Sequence, residues 1–155
     1  MLKVGDTAPD FELPSQNNKP IKLSSFLGQK VLIYFYPRDF TPGCTVEACS
    51  LRDSFPNFRN LKAVVLGISK DTVESHKKFV EKFNLPFTLL SDIDHKVQET
   101  FGVWQEKKFM GKTFTGTVRS SFLLNEKGKI VKIYKKVKPP VHAMEVLKDI
   151  TAKNE

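Results

Sequence analysis

At 155 residues, with 40% hydrophobic and 27% charged residues, the chain has the make-up of one soluble globular domain over 1–155, large enough to bury a core without disulfide staples. Its longest apolar run, residues 31–36, falls far short of the ~18 residues of a membrane span, and the first six residues lack the apolar stretch of a signal peptide, so a cytoplasmic location away from membranes is expected. The net charge of +8 raises nucleic-acid binding, but the lysines are scattered, with no helix-turn-helix, zinc-finger spacing or basic tail; they read as a solvated surface, and no nucleic-acid partner is expected.

Residues 10–23 are expected to form a small hairpin extension at the N-terminus. Residues 31–36, β-branched and aromatic between Gly28 and Pro37, read as a strand buried on both faces. A helix follows from about Pro42, then a strand at 62–69 and a helix over 72–83 with Asp71 as a possible cap. A third strand spans 87–90, and a helix lies near 95–101. The pattern then changes. Strands at 120–124 and 130–134 flank Asn125-Glu126-Lys127-Gly128-Lys129 as a hairpin, and a last helix runs over 141–152 after the breaker Pro139-Pro140. Alternating β and α units followed by a hairpin and a helix indicate an α/β thioredoxin-like fold, a central mixed β-sheet flanked by helices.

The two cysteines, Cys44 and Cys49, are the only ones in the chain. Thr41-Pro42-Gly43-Cys44 has the grammar of a helix start, with Thr41 at the N-cap and Pro42 at N1, where a missing N–H costs nothing. Gly43 and Cys44 then carry backbone N–H groups without intrahelical partners, suited to an anionic sulfur and an attacking oxygen alike. Cys44, Ala48, Leu51, Phe55 and Phe58 share one helical face, which turns Cys44 inward and Cys49 about 140° away. Pro56 should end or kink this helix.

Ideal helix geometry separates positions i and i+5 by about 8.6 Å at Cα, whereas a disulfide needs roughly 4.4–6.8 Å. Any bond between the two sulfurs therefore requires the first turn to unwind. Bringing a thiol from a pKa of about 8.5 to about 6 takes ~3.4 kcal/mol, and a helix terminus supplies ~0.3–1. A second positive group is needed, and Arg119, at the head of the 120–124 strand, is the candidate. An inert core cysteine, a disulfide exchanger and a metal ligand are the rival readings. Exchangers favour C-x-x-C, and the spacing, with His76, His95 and His142 scattered, gives no expected metal site.

The elements Gly5-Asp6-Thr7-Ala8-Pro9-Asp10-Phe11, Tyr34-Phe35-Tyr36-Pro37, Thr41 to Cys49, Phe101-Gly102-Val103-Trp104 and Val118-Arg119-Ser120-Ser121-Phe122-Leu123 together resemble the peroxiredoxins, in particular the peroxiredoxin Q branch, also called bacterioferritin comigratory protein. Phe40 and Ser121 depart from it, standing where a polar or small residue and a threonine are usual. The resemblance implies a hydroperoxide reductase with Cys44 as peroxidatic and Cys49 as resolving cysteine, joined in an intramolecular disulfide. It also implies that Thr41, Gly43 and Arg119 contact the peroxide and the thiolate, and that Pro37 shields the pocket. Glu47 is implied to orient the arginine, with a solvated first-turn carboxylate as the alternative. Trp104 reads as packing. No cofactor is implied; thioredoxin (or glutaredoxin) would be the reductant and a monomer the working form.

Overall fold

A computed structural model describes residues 2–153. Five strands form the central sheet: β3 (Lys30–Phe35), β4 (Ala63–Ser69), β5 (Thr88–Ser91), β8 (Ser120–Leu124) and β9 (Ile130–Tyr134), in the order β5-β4-β3-β8-β9. The first three run parallel, and β8 and β9 are antiparallel to β3 and to each other respectively. The N-terminal extension is a short antiparallel pair, β1 (Glu12–Pro14) with β2 (Pro20–Lys22).

The continuous apolar run of β3 has a direct cause. Leu32, Tyr34 and Tyr36 enter one core, with α1 (Pro42–Asp53), α2 (Phe55–Asn60), α3 (Val73–Phe83) and α5 (His142–Lys153). Val31, Ile33 and Phe35 enter the other, with the N-terminal segment, Phe101 and Val103. A strand between two cores has no solvated face to alternate toward.

Helix boundaries follow local chemistry. Pro56 is the second residue of α2, which Ser54 alone separates from α1. The cap of α3 is Thr72, not Asp71: Thr72 Oγ1 accepts from the Ser75 N–H at 3.1 Å, while Asp71 is turned to Ser69. Asn84, left-handed with φ 50°, closes α3. The short α4 (Lys96–Thr100) lies where a helix was expected.

One ribbon was not foreseen. The strands β6 (Trp104–Phe109) and β7 (Lys112–Thr117) pair around Met110 and Gly111, both at positive φ, the backbone of a two-residue hairpin turn. The ribbon delivers the chain to Val118 and Arg119. At its base Trp104 stacks on His95 at 4.0 Å, and the Lys70 ammonium lies 5.6 Å from the indole.

Candidate active site

Helix α1 begins at Pro42 with Thr41 as its N-cap, so Gly43 and Cys44 occupy N2 and N3. The first intrahelical bond runs from the Thr45 N–H to Thr41 O at 2.9 Å. Thr41 caps by position only. Its hydroxyl donates backward to Arg38 O at 2.9 Å, which draws the preceding loop into a turn.

Cys44 is 1% exposed, with Ala48 and Leu51 buried behind it on the same face of α1 and Phe58 buried in α2; Cys49 is half-exposed to solvent, and both thiols are free. Arg119, 75 residues further on, donates from Nη2 to Cys44 Sγ at 3.3 Å and from Nη1 to Glu47 Oε1 at 2.7 Å. It reaches the sulfur because β3 and β8 are sheet neighbours, so the head of β8 lies beside the tail of β3. A Cβ on Gly43 would stand 3.0 Å from Arg119 Nη2. Glycine is what lets the guanidinium lie against the helix start.

Glu47 is neither solvated nor in the first turn. It lies six residues into α1, is 1% exposed, and its Oε2 is buried with no hydrogen-bond partner among the described residues. Burial pushes its carboxyl up to about 7, outweighing the attraction of Arg119. Arg119 is itself pushed up despite its own burial, because the Cys44 sulfur and Glu47 both favour its charged form. One fixed cation thus spans a sulfur and a carboxyl group.

Further parts of the chain complete the surroundings. Pro37, half-buried, begins the loop to α1. Pro139 Cγ lies 4.0 Å from the Gly43 Cβ position, and the Ser50 hydroxyl donates to Pro140 O at 3.4 Å, so the segment before α5 meets α1 at Gly43 and again at Ser50. Beside Thr41 opens a depression of about 750 Å³ lined by Arg38, Phe40, Lys70 and Thr72 among others. A more enclosed apolar pocket of about 200 Å³ lies between Ala8, Leu23, Val31 and Leu124, at the other end of β3 from Cys44. Trp104 lies in the ribbon base, in keeping with packing.

The histidines do not gather with one another; each is tied to other polar groups, His95 to Glu99 at the surface with Nδ1 3.2 Å from Oε2, and the other two in the interior. His142 Nε2 is 2.8 Å from Ser121 Oγ and Nδ1 3.2 Å from Glu145 Oε1, and burial holds its pKa below the ordinary value. His76 meets Asp39 and Asp71, whose ligand-type atoms all lie within 4.8 Å of one another. Sequence reasoning missed this cluster, since its members stand 32 and 37 positions apart from Asp39.

Among the described residues no helix is long and apolar enough to cross a membrane. Comparison with known proteins bears on the chain as a whole. Residues 4–133 match the AhpC/TSA family. The chain is 46% identical to peroxiredoxin Bcp of Bacillus subtilis over 98% of this chain and 99% of the relative, and 51% identical to peroxiredoxin Bcp of Escherichia coli K12 over 94% of each. Among solved structures, a cysteine-to-serine mutant of Xylella fastidiosa PrxQ superposes with a TM-score of 0.94 at 34% identity, covering 100% of this chain and 99% of that one. The Xanthomonas campestris bacterioferritin comigratory protein, whose structure was determined in a study of its alkyl peroxide reduction activity, gives 0.91 at 35% identity, with 100% and 99% covered. A family match over most of the chain, with relatives about half identical along nearly their whole length, places the chain in the AhpC/TSA family, among the peroxiredoxins.

Proposed function

We propose that this chain, as one domain, reduces hydrogen peroxide and organic hydroperoxides with Cys44 as the attacking sulfur and Cys49 as the resolving one. The 3.3 Å approach of Arg119 to Cys44 Sγ at the start of α1 carries the reading, because a guanidinium and a helix N-terminus both favour thiolate and both stabilise charge that develops on a departing oxygen.

The thiolate takes the terminal peroxide oxygen: an S–O bond forms, the O–O bond breaks, and the departing alkoxide or hydroxide picks up a proton to leave as alcohol or water. Cys44 becomes a sulfenic acid. The Thr41 hydroxyl, the Gly43 and Cys44 N–H groups and Arg119 line the oxygen path, while Pro37 keeps bulk water from the sulfur. The first turn of α1 then unwinds, the Cys49 thiol displaces hydroxide from the oxidised sulfur, and water and an intramolecular disulfide result. A dithiol protein, thioredoxin or glutaredoxin, reduces that disulfide by exchange and leaves oxidised. Resolution within one chain needs no second subunit, so the enzyme works as a monomer, in the cytoplasm.

Intact-mass analysis after stoichiometric peroxide tests this. The wild type should lose two hydrogens and become inaccessible to thiol alkylation. Cys49→Ser should gain one oxygen and stall, and Cys44→Ser should stay unchanged. A Cys49→Ser protein oxidised no faster than a free thiol would refute the reading.

A further inference from the structure

The loop that carries Pro37 and Thr41 is held by a polar cluster that the chemistry above does not use. Asp39 is 4% exposed, yet its carboxyl group accepts from the Tyr36 hydroxyl at 2.6 Å and the Ser75 hydroxyl at 2.8 Å, and its Oδ2 lies 2.7 Å from His76 Nδ1. His76 is fully buried, and its other nitrogen lies 3.0 Å from Leu90 O. The Asp39 N–H in turn donates to Asp71 Oδ2 at 2.8 Å, an oxygen that also accepts from Ser69 Oγ at 2.6 Å. Both Asp39 oxygens and Asp71 Oδ2 are thus taken by protein donors, so the trio is built to hold backbone rather than to wait for a cation.

A second hook, apolar and independent of the first, lies one residue on. Phe40 sits at φ 66°, a conformation that a bulky residue adopts only when its surroundings compel it. Its ring packs edge-on against Phe79 with centroids 5.0 Å apart, and 6.4 Å from Phe83. Ser75, His76, Phe79 and Phe83 all belong to α3. That helix therefore grips two consecutive loop residues, one by hydrogen bonds and one by aromatic contact. Thr41 follows directly, its hydroxyl turned back to Arg38 O. Downstream of this grip lies the turn that must open for Cys44 to meet Cys49; upstream of it, nothing has to move.

We propose that Asp39 is a positioning residue for peroxide reduction: with Ser75 and His76 of α3 it fixes the loop so that Thr41 and Pro37 face the peroxide in register with Cys44. The proposal rests on the peroxidase reading. It separates two properties of Cys44, its general reactivity as a thiol and its reaction with a peroxide that must be oriented.

The test compares the second-order rate of Cys44 oxidation by hydrogen peroxide with the rate of its alkylation by iodoacetamide, which needs no oriented oxygen. In Asp39→Ala the peroxide rate should fall ten- to a hundredfold, with alkylation within about twofold of wild type. Asp39→Asn keeps an acceptor for His76 and should stay within about fivefold on both. Adding His76→Gln to Asp39→Ala should cost little more than Asp39→Ala alone, because the two residues act as a unit. Should Asp39→Ala not fold, Ser75→Ala removes one donor from the cluster at a partly exposed helix position, and should lower the peroxide rate severalfold with alkylation unchanged. A peroxide rate equal to wild type in Asp39→Ala or in Ser75→Ala, or peroxide and alkylation rates falling in parallel, overturns the proposal. A wild-type protein no faster toward peroxide than free cysteine overturns the peroxidase reading with it.

Discussion

Arg119 and Glu47 divide two tasks that a single mutation cannot separate. Arg119 serves the sulfur, and at 2.7 Å it also offsets the cost of burying a carboxyl group. Replacing Arg119 by alanine should lower the peroxide rate by about 10²–10³-fold and also destabilise the fold, since Glu47 loses its partner. The double variant Arg119→Ala/Glu47→Gln should recover the stability and none of the rate, read by urea unfolding beside stopped-flow oxidation. Glu47 also gives stability a pH signature. Its carboxyl lies at about 7 in the folded protein against an ordinary 4.5, so between those values the folded state holds the extra proton. Wild-type stability attributable to this group is intact below about 4.5 and falls as pH rises toward 7, by at most about 3 kcal/mol. Glu47→Gln removes that dependence, so its stability relative to wild type should increase from pH 5 to pH 8.

Helix α1 is the element on which sequence and structure agree most closely, and the reason is local. Thr-Pro-Gly sets the start, Cys44, Ala48 and Leu51 set the buried face, and Pro56 lies just past the end. Each signal acts within a turn or two of the residue that carries it. The β3 run and the β8–β9 hairpin were legible for similar reasons. The β6–β7 ribbon was not, because its strands are largely exposed on both faces and leave no apolar alternation to read. Its turn also opens with Met110 rather than asparagine or aspartate. The burial of Glu47 had a trace in the spacing: it stands three residues after Cys44 and four before Leu51, on the same face. The Asp39–His76 contact had none, since only the folded chain brings the two together. The continuity of α1 from Pro42 to Asp53 leads to a prediction about the element itself. On disulfide formation, amide hydrogens of 45–48 should lose protection by at least tenfold while those of 50–53 keep most of theirs, measured by hydrogen exchange on reduced and oxidised protein. Equal protection in the two states would exclude unwinding as the route to the bond.

At the scale of the whole molecule, the fold is a sheet between two cores, and its tolerance is lowest where central strands touch. Gly67 of β4 pairs with Tyr34 of β3 and Leu89 of β5. A Cβ there would stand 2.7 Å from both the Tyr34 ring and the Leu89 side chain. Gly67→Ala should therefore cost about 1–3 kcal/mol by overpacking, seen as a lower urea midpoint with an unchanged slope. This sheet also explains how residues 75 positions apart form one site: β8 brings Arg119 to the end of β3, and the adjoining loop brings Cys44.

Pro139 lies against Gly43, in the turn that has to open, and Pro140 accepts from Ser50 beyond that turn. Under the proposed chemistry, the oxidised sulfur waits until that turn opens, and a second peroxide molecule arriving in the interval would carry it on to irreversible sulfinic acid. Under that chemistry, how firmly Pro139 sits on the first turn of α1 bears on the dose of oxidant the enzyme survives.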